Sequence, residues 1–284
     1  MKKIAWIIVV LFILCPIYGQ KIISAPKVTN KPTKVQSGKT HNEYKRNNEV
    51  SNSNDLNNMS AIDAFNIAES YLASNNYVSA YKYAYYSSNK GYAPGDYILG
   101  LLYENGLGVN KDISKAIELF KKSYNKGFAK AAFELGLLLF SGEGCIIDQK
   151  ESVELFTFAA QKGIPDAQGA LARCYELGTG TTRNMNLAAY WYNKAANNGE
   201  EYSMAMLGSL YLMGEGVSQD YSQALYWTQK AADLGNDVGA HNLGIMYFKG
   251  IGVRKDLTKA YYWFRKAADS GNSDSVEFLN THKF

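Results

Sequence analysis

Five Gly-x-Gly pairs, running from Gly106/Gly108 to Gly250/Gly252, are the first chemically suggestive feature of this 284-residue chain. Glycines at that spacing cradle phosphate when a strand leads into them and a helix N-terminus follows. Here a helical pattern precedes every pair, and the repetition itself indicates a structural turn. Ser-x-x-Lys occurs at Ser87–Lys90 and Ser123–Lys126, the spacing of an acylated serine and its lysine. The companion Ser-Asp-Asn and Lys-Thr-Gly motifs are missing, and both lysines fall where a helix ends and a cation suits its dipole. Glu143 and Glu215 sit in Gly-Glu-Gly turns 72 residues apart, too far to flank one bond at the roughly 5–9 Å that acid–base pairs need. His41, His241 and His282 each lack a second ligand three or four residues on, and three cysteines do not have zinc spacing. No catalytic residue, metal site or cofactor site follows from these residues.

The elements that carry them repeat. Gly91, Gly127, Gly163, Gly199, Gly235 and Gly271 are spaced 36 residues apart throughout. The paired glycines form two further columns, and Gly100, Gly136, Ala172, Gly208 and Gly244 form a fourth, small in every copy. Together the columns hold twenty of the chain's 25 glycines, so chance is not a competitor. Asp112, Asp148, Asn184, Asp220 and Asp256 share the period, with Asn76 upstream, and suit helix N-caps. Apolar stripes follow the caps, as in Ala260, Trp263, Phe264 and Ala267, and predict a helix B that ends in the first glycine column. Helix A precedes each glycine pair, with Pro94 and Pro165 near its start. Glycine inside helix A costs roughly 1 kcal/mol of propensity relative to alanine, so the small column predicts close approach by another helix. The unit is an αα-hairpin, and stacked hairpins make a solenoid.

Leu207-Gly208-x-x-Tyr211-x-x-Gly214-x-Gly216-Val217-x-x-Asp220-x-x-x-Ala224-x-x-Trp227, continued by Lys230-Ala231-Ala232-x-x-Gly235, resembles the Sel-one-like repeat (SLR), a longer-looped relative of the tetratricopeptide repeat. Five copies occupy residues 93–272, and the second departs most, with Cys145 for the usual Val and Ser152 for the usual Ala. The resemblance implies an all-α, right-handed α–α superhelix. Residues 60–92 lack a glycine pair; aligning Ala68, Tyr71 and Ala80 gives tetratricopeptide spacing and an expected N-terminal cap hairpin. Residues 273–284 are expected to form a final helix covering the last exposed face.

The N-terminus reads as an export signal. Lys2 and Lys3 precede an apolar run from Ile4 to Cys15, and a helix that long, about 18 Å, falls short of the roughly 30 Å hydrocarbon core. Residues 1–19 are expected to be a signal peptide, with Ile17-Tyr18-Gly19 leaving Gln20 first; an uncleaved anchor is the alternative. Leu14 is too bulky for a lipobox at Cys15. Residues 20–59 are Asn-rich, hold Pro26 and Pro32, and are expected to be a disordered linker. With 46% hydrophobic and 20% charged residues, the chain as a whole has the material for a core. Formal charge is +4, but residues 60–284 carry 21 basic and 23 acidic side chains, which argues against a nucleic-acid partner.

Tetratricopeptide-like arrays usually bind along the concave helix A face. That analogy makes Tyr97, Glu104, Phe133, Arg173, Glu176, Tyr202, His241 and Phe248 the partner-binding candidates, with Leu101, Leu137, Phe140, Leu212 and Ile245 beside them. Aromatic anchors mixed with Arg match interface composition. Cys145 and Cys174 occupy apolar columns, as packing residues or as one disulfide in an oxidising compartment. The expectation is an exported scaffold, periplasmic or secreted, that binds a protein or peptide and contacts a membrane only if residues 1–19 stay attached. Bacterial SLR relatives act as envelope scaffolds and host-interaction factors, and cysteine-rich ones are associated with weak β-lactamase activity. This sequence lacks their paired cysteines, so that activity is not carried over; a weak hydrolase of β-lactam or cell-wall substrates is the rival class, and a membrane-tethered envelope assembly factor the third.

Overall fold

The computed structural model describes residues 58–282, so the signal segment and most of the linker lie outside the described residues. Thirteen α-helices and no strand occur among the described residues. The A helices are α1 (Ala61–Ala73), α3 (Ala93–Asn105), α5 (Ala129–Ser141), α7 (Pro165–Leu177), α9 (Glu201–Met213) and α11 (Asp237–Lys249). The B helices are α2 (Tyr77–Asn89), α4 (Ile113–Asn125), α6 (Gln149–Gln161), α8 (Met185–Asn197), α10 (Tyr221–Asp233) and α12 (Leu257–Asp269), and α13 (Ser273–Thr281) closes the array.

Every cap column residue caps a B helix. The side chains of Asn76, Asp112, Asp148, Asn184, Asp220 and Asp256 accept from the backbone N–H three residues on. At the other end Gly91, Gly127, Gly163, Gly199, Gly235 and Gly271 follow the last helical turn with φ between +83° and +95°, left-handed backbone that favours glycine. The paired glycines divide two tasks. Gly106, Gly142, Gly178, Gly214 and Gly250 are left-handed C-caps of the A helices. The second glycine of each pair lies against the start of the preceding B helix: Gly108 on Tyr77, Gly144 on Ile113, Gly180 on Gln149, Gly216 on Met185 and Gly252 on Tyr221. The turn therefore welds one hairpin to the last, a joint the spacing alone does not reveal. Between the first two helices, where no glycine pair exists, Asn75 takes the left-handed conformation at φ 59°.

The small column accepts a ring from its own hairpin. A Cβ at Gly100, Gly136 or Gly244 would meet the rings of Phe120, Phe156 and Phe264, all fully or almost fully buried. Thr228 takes that role for Gly208. Alanines and leucines of both helices fill the interior, which runs as a chain of clusters along the array.

Polar contacts that differ from hairpin to hairpin supplement these joints. Asp96, wholly buried on α3, accepts from Lys122 and Lys126 Nζ at 2.7 Å each and from the Ser88 hydroxyl at 2.5 Å. Burial alone would raise its pKa, but the lysine and serine hydrogen bonds win and hold it below the usual carboxylate value. Gln168 on α7 donates to the Ala160 carbonyl and accepts from Asn198. Asn242 on α11 donates to Ser209 on α9 at 2.8 Å, and His241 Nδ1 meets the buried Ser275 hydroxyl of α13 at 2.7 Å.

Candidate interaction groove

Which layer lies inside the curve follows from contacts between like helices. The A helices touch directly, α1 with α3 and α9 with α11, while no two successive B helices meet as extensively. The crowded layer of a curved stack is its inner one, so helix A lines the concave side.

Two columns define the exposed inner face. Leu101, Leu137, Arg173, Ser209 and Ile245 follow the small column by one residue, and all five are half-buried. Glu104, Phe140, Glu176, Leu212 and Phe248 follow it by four and are also half-buried. These positions keep one burial state in every repeat, although in the last one Phe248 packs beneath α13. The column of Tyr97, Phe133 and His241 behaves differently. Phe133 is only 6% exposed and its ring sits 5.8 Å from Phe156, so it belongs to the core. This corrects its placement as a binding residue: Phe156 fills the interior of the same hairpin and draws Phe133 inward. Tyr97 is half-buried against Phe120 and Phe128, with its hydroxyl at Glu134.

His241 and Phe248 serve the terminal junction. His241 bonds Ser275 and stacks edge-on against Phe264, while Phe248 meets Phe278 at 5.1 Å and His282 at 5.6 Å. The last helix therefore occupies the side chains that the repeat pattern assigns to the groove at this end. Arg173 holds its guanidinium 5.9 Å from the Tyr202 ring centre, and Glu176 accepts a 2.6 Å hydrogen bond from the buried Tyr192 hydroxyl. Candidates on α7 and α9 thus meet one another, whereas Tyr97 and Glu104 sit at the α3 end.

Carboxylates that sequence reasoning passed over complete the face. Glu134 lies on α5 beside Tyr97, and Glu200 caps α9 by accepting from the Tyr202 and Ser203 N–H groups. Burial, then repulsion from Glu104 and Asp166, pushes Glu134 up to about 8, against the Tyr97 hydroxyl and Lys130. Burial and Glu143 push Glu104 up to about 7, with Lys111 opposing. Glu176, Glu200 and Asp166 are raised chiefly by burial as well. Burial and the neighbouring acids carry Tyr202 to about 12. Summed by layer, the A helices hold nine Asp/Glu against three Lys/Arg, and the B helices hold five against ten. The inner layer is acidic and the outer one basic, a polarity legible only after each charge is assigned to its helix.

The serines of the two Ser-x-x-Lys runs are structural. Ser87 and Ser123 are wholly buried and donate to the Ala61 and Ala93 carbonyls at 2.8 and 2.7 Å. Cys145 and Cys174 are free thiols, which corrects the possible disulfide. The Cys145 sulfur is directed at the Leu138 carbonyl at 3.5 Å, and Cys174 is buried in the core with its thiol pKa pushed up to about 12 by burial. Among the described residues no group of three or more His, Cys, Asp or Glu side chains is placed to hold a metal, and no helix is long and apolar enough to cross a membrane.

Stacked, glycine-jointed αα-hairpins with an open inner face define a helical repeat protein of the interaction-scaffold type. The Sel1 repeat pattern matches residues 93–128, 129–164, 165–200, 201–236 and 238–272, and the chain belongs to the Sel1 repeat family. Sel1 repeats generally mediate protein–protein interaction without catalysis. Among solved structures, the chain is similar to a protective antigen with an SLR fold present in uropathogenic Escherichia coli strains, at 31% identity and TM-score 0.69. That match covers 84% of this chain and 50% of the antigen, so the chain spans half the length of that relative. A Sel1 repeat protein from Oxalobacter formigenes matches at 28% identity and TM-score 0.72, covering 76% of this chain and 86% of its own. Comparison with curated proteins gives no match.

Proposed function

We propose that this protein is an exported, non-catalytic scaffold of a bacterial envelope or extracellular setting that binds a protein or peptide along its concave helix A face. The observation that carries the reading is the pair of columns one and four after the small residue, half-buried in all five repeats, while the small column itself and the column two after it are buried throughout. Such a face keeps aromatic and aliphatic anchors beside charged groups on a rigid frame, the composition of interaction hot spots. Export rests on the Lys2-Lys3 start and the short apolar run after it. The buried, hydrogen-bonded serines of the Ser-x-x-Lys runs weigh against the hydrolase alternative.

The test is partner capture by crosslinking and mass spectrometry, comparing two double variants. Leu137→Ala with Leu212→Ala removes half-exposed groove side chains; Lys121→Ala with Lys150→Ala changes exposed ones on B helices. Groove anchors typically contribute about 1–2 kcal/mol each, so the first variant should lose capture at least tenfold and the second almost none. Loss confined to the helix B pair would overturn the concave reading, and nitrocefin or peptidoglycan turnover above blank would overturn the non-catalytic one.

A further inference from the structure

The acidic inner layer has few cations of its own, and one of its nine carboxylates, the buried Asp96, is paired with B-side lysines, Lys122 and Lys126. Lys130, Arg173 and Lys249 are the basic residues of the six A helices, and α1, α3 and α9 have none. The carboxylates there influence one another along the array: Glu134 is within electrostatic reach of Glu104 and Asp166, Glu200 of Asp166, and Tyr202 of Glu176, Glu200 and Asp237. The face is therefore a lane of carboxyl groups with aromatic rings beside it, in which burial leaves Glu104 and Glu134, at about 7 and 8, only partly ionised at neutral pH. The B lysines, from Lys82 to Lys266, lie on the other layer.

A complementary charge is attached to the same chain. Residues 20–57 hold Lys21, Lys27, Lys31, Lys34, Lys39, Lys45 and Arg46 against three Asp/Glu, a net +4. They join the fold at Ser60, the N-cap of α1, which is the first helix of the acidic layer. Six A helices at about 8–10 Å apart span roughly 50 Å. Thirty-eight residues reach about 130 Å when extended and roughly 35 Å as a flexible coil. The tether is long enough to run the lane and short enough to hold the segment at an effective concentration of about a millimolar. Successive cations up to Lys45 stand three to six residues apart, about 10–20 Å in an extended chain and so one or two helix spacings.

We propose that the basic segment 20–57 lies in the acidic helix A groove of its own chain, as a tethered occupant that an outside partner must displace. This rests on the reading of the A layer as the binding face. The segment's charge matches the lane in sign and its length matches it in reach. A partner that binds there competes against an intramolecular rival, so removing the segment's charge raises partner affinity without touching the groove.

Zero-length carbodiimide crosslinking of the full exported chain, followed by mass spectrometry, tests this directly because it joins only amines and carboxylates already in contact. Expected products join lysines of 20–57 to Glu104, Glu134, Asp166 or Glu176, and half a molar of salt reduces them several-fold. Equal yields to the B-layer carboxylates Glu118, Glu151 and Glu154, or no crosslinks from the segment, would overturn the proposal. A mixture of isotopically light and heavy chains separates the second source of the same chemistry: crosslinks joining light to heavy chains would place another copy in the groove and also overturn it. A variant with the six segment lysines changed to glutamine leaves the solenoid untouched and should abolish the crosslinks while partner capture rises. If capture rises in no variant yet still depends on Leu137 and Leu212, the docked segment is wrong and the binding face stands.

Discussion

Alanine at Gly199 and at Gly216 separates two demands that glycine meets in this array. Both residues have positive φ, 94° and 71°, so an L side chain at either is strained by about 1–2 kcal/mol. Lower chain entropy in the unfolded state returns about 0.4–1 kcal/mol of that to each. A methyl group at Gly199 meets nothing within 4 Å, and Gly199→Ala should cost about 0.5–1.5 kcal/mol. At Gly216 the methyl collides with the Met185 carbonyl oxygen and comes within 2.6 Å of the Met185 carbonyl carbon. That neighbour is backbone at the start of α8 and cannot rotate aside, so the joint between hairpins must open, adding about 1–3 kcal/mol or more. The difference corresponds to a melting temperature lower by roughly 3–10 °C for Gly216→Ala than for Gly199→Ala in a fold of this size. Glu215→Ala, an exposed change one residue away, should stay within about 0.5 kcal/mol. Thermal unfolding by circular dichroism, with hydrogen exchange at α8 and α9, reads the effect. Equal losses at the two glycines would refute the joint, and a loss at Glu215 matching that at Gly199 would refute the left-handed cap.

Asp96→Asn should destabilise the junction of the first two hairpins by about 2–4 kcal/mol, because it removes two ion pairs to a buried carboxylate, seen as faster hydrogen exchange in α1 and α2. Stability should peak on the mildly acidic side of neutrality. The raised pKa values of Glu104 and Glu134 contribute stability fully below about 4.5 that is lost as pH rises through about 7 and 8, whereas depressed Asp96 contributes above its ordinary 3.8 and is lost on acidification. Denaturant titrations across pH check this, and Glu134→Gln should flatten the alkaline limb. Phe133→Ala should cost about 3–5 kcal/mol as a core deletion, and unaltered melting would return that side chain to the groove.

The repeat, the caps and both helices of each hairpin were legible because each column needs one residue type for one backbone reason. Asp or Asn caps and positive-φ glycines depend on local geometry that 36-residue spacing displays directly. The inner face was half legible. Columns one and four beyond the small residue are half-buried in every repeat, but Tyr97, Phe133 and His241 share a boundary column. There the neighbouring helix decides: Phe156 draws Phe133 into the core, and α13 recruits His241. Glu134, Asp166 and Glu200 went unnoticed because no two share a column, so their convergence appears only when successive A helices stand side by side.

The sameness of the five glycine joints has a consequence for how the chain finds its fold. A hairpin whose joint geometry is the same as the next one's can seat on the wrong neighbour, or on a hairpin of another copy, at little local cost, which is the characteristic misassembly of repeat arrays. The polar contacts that differ from hairpin to hairpin remove that degeneracy. Asp96 finds two lysines and a serine only between α2 and α4, Gln168, held by Asn198 at the end of α8, reaches back to the Ala160 carbonyl of α6, and Asn242 finds Ser209 only between α9 and α11. A slipped register would bury Asp96 without its lysines, a mismatch of several kcal/mol. These residues work as addresses on interchangeable parts, and their contribution lies in excluding wrong partners during assembly as much as in strengthening the right one.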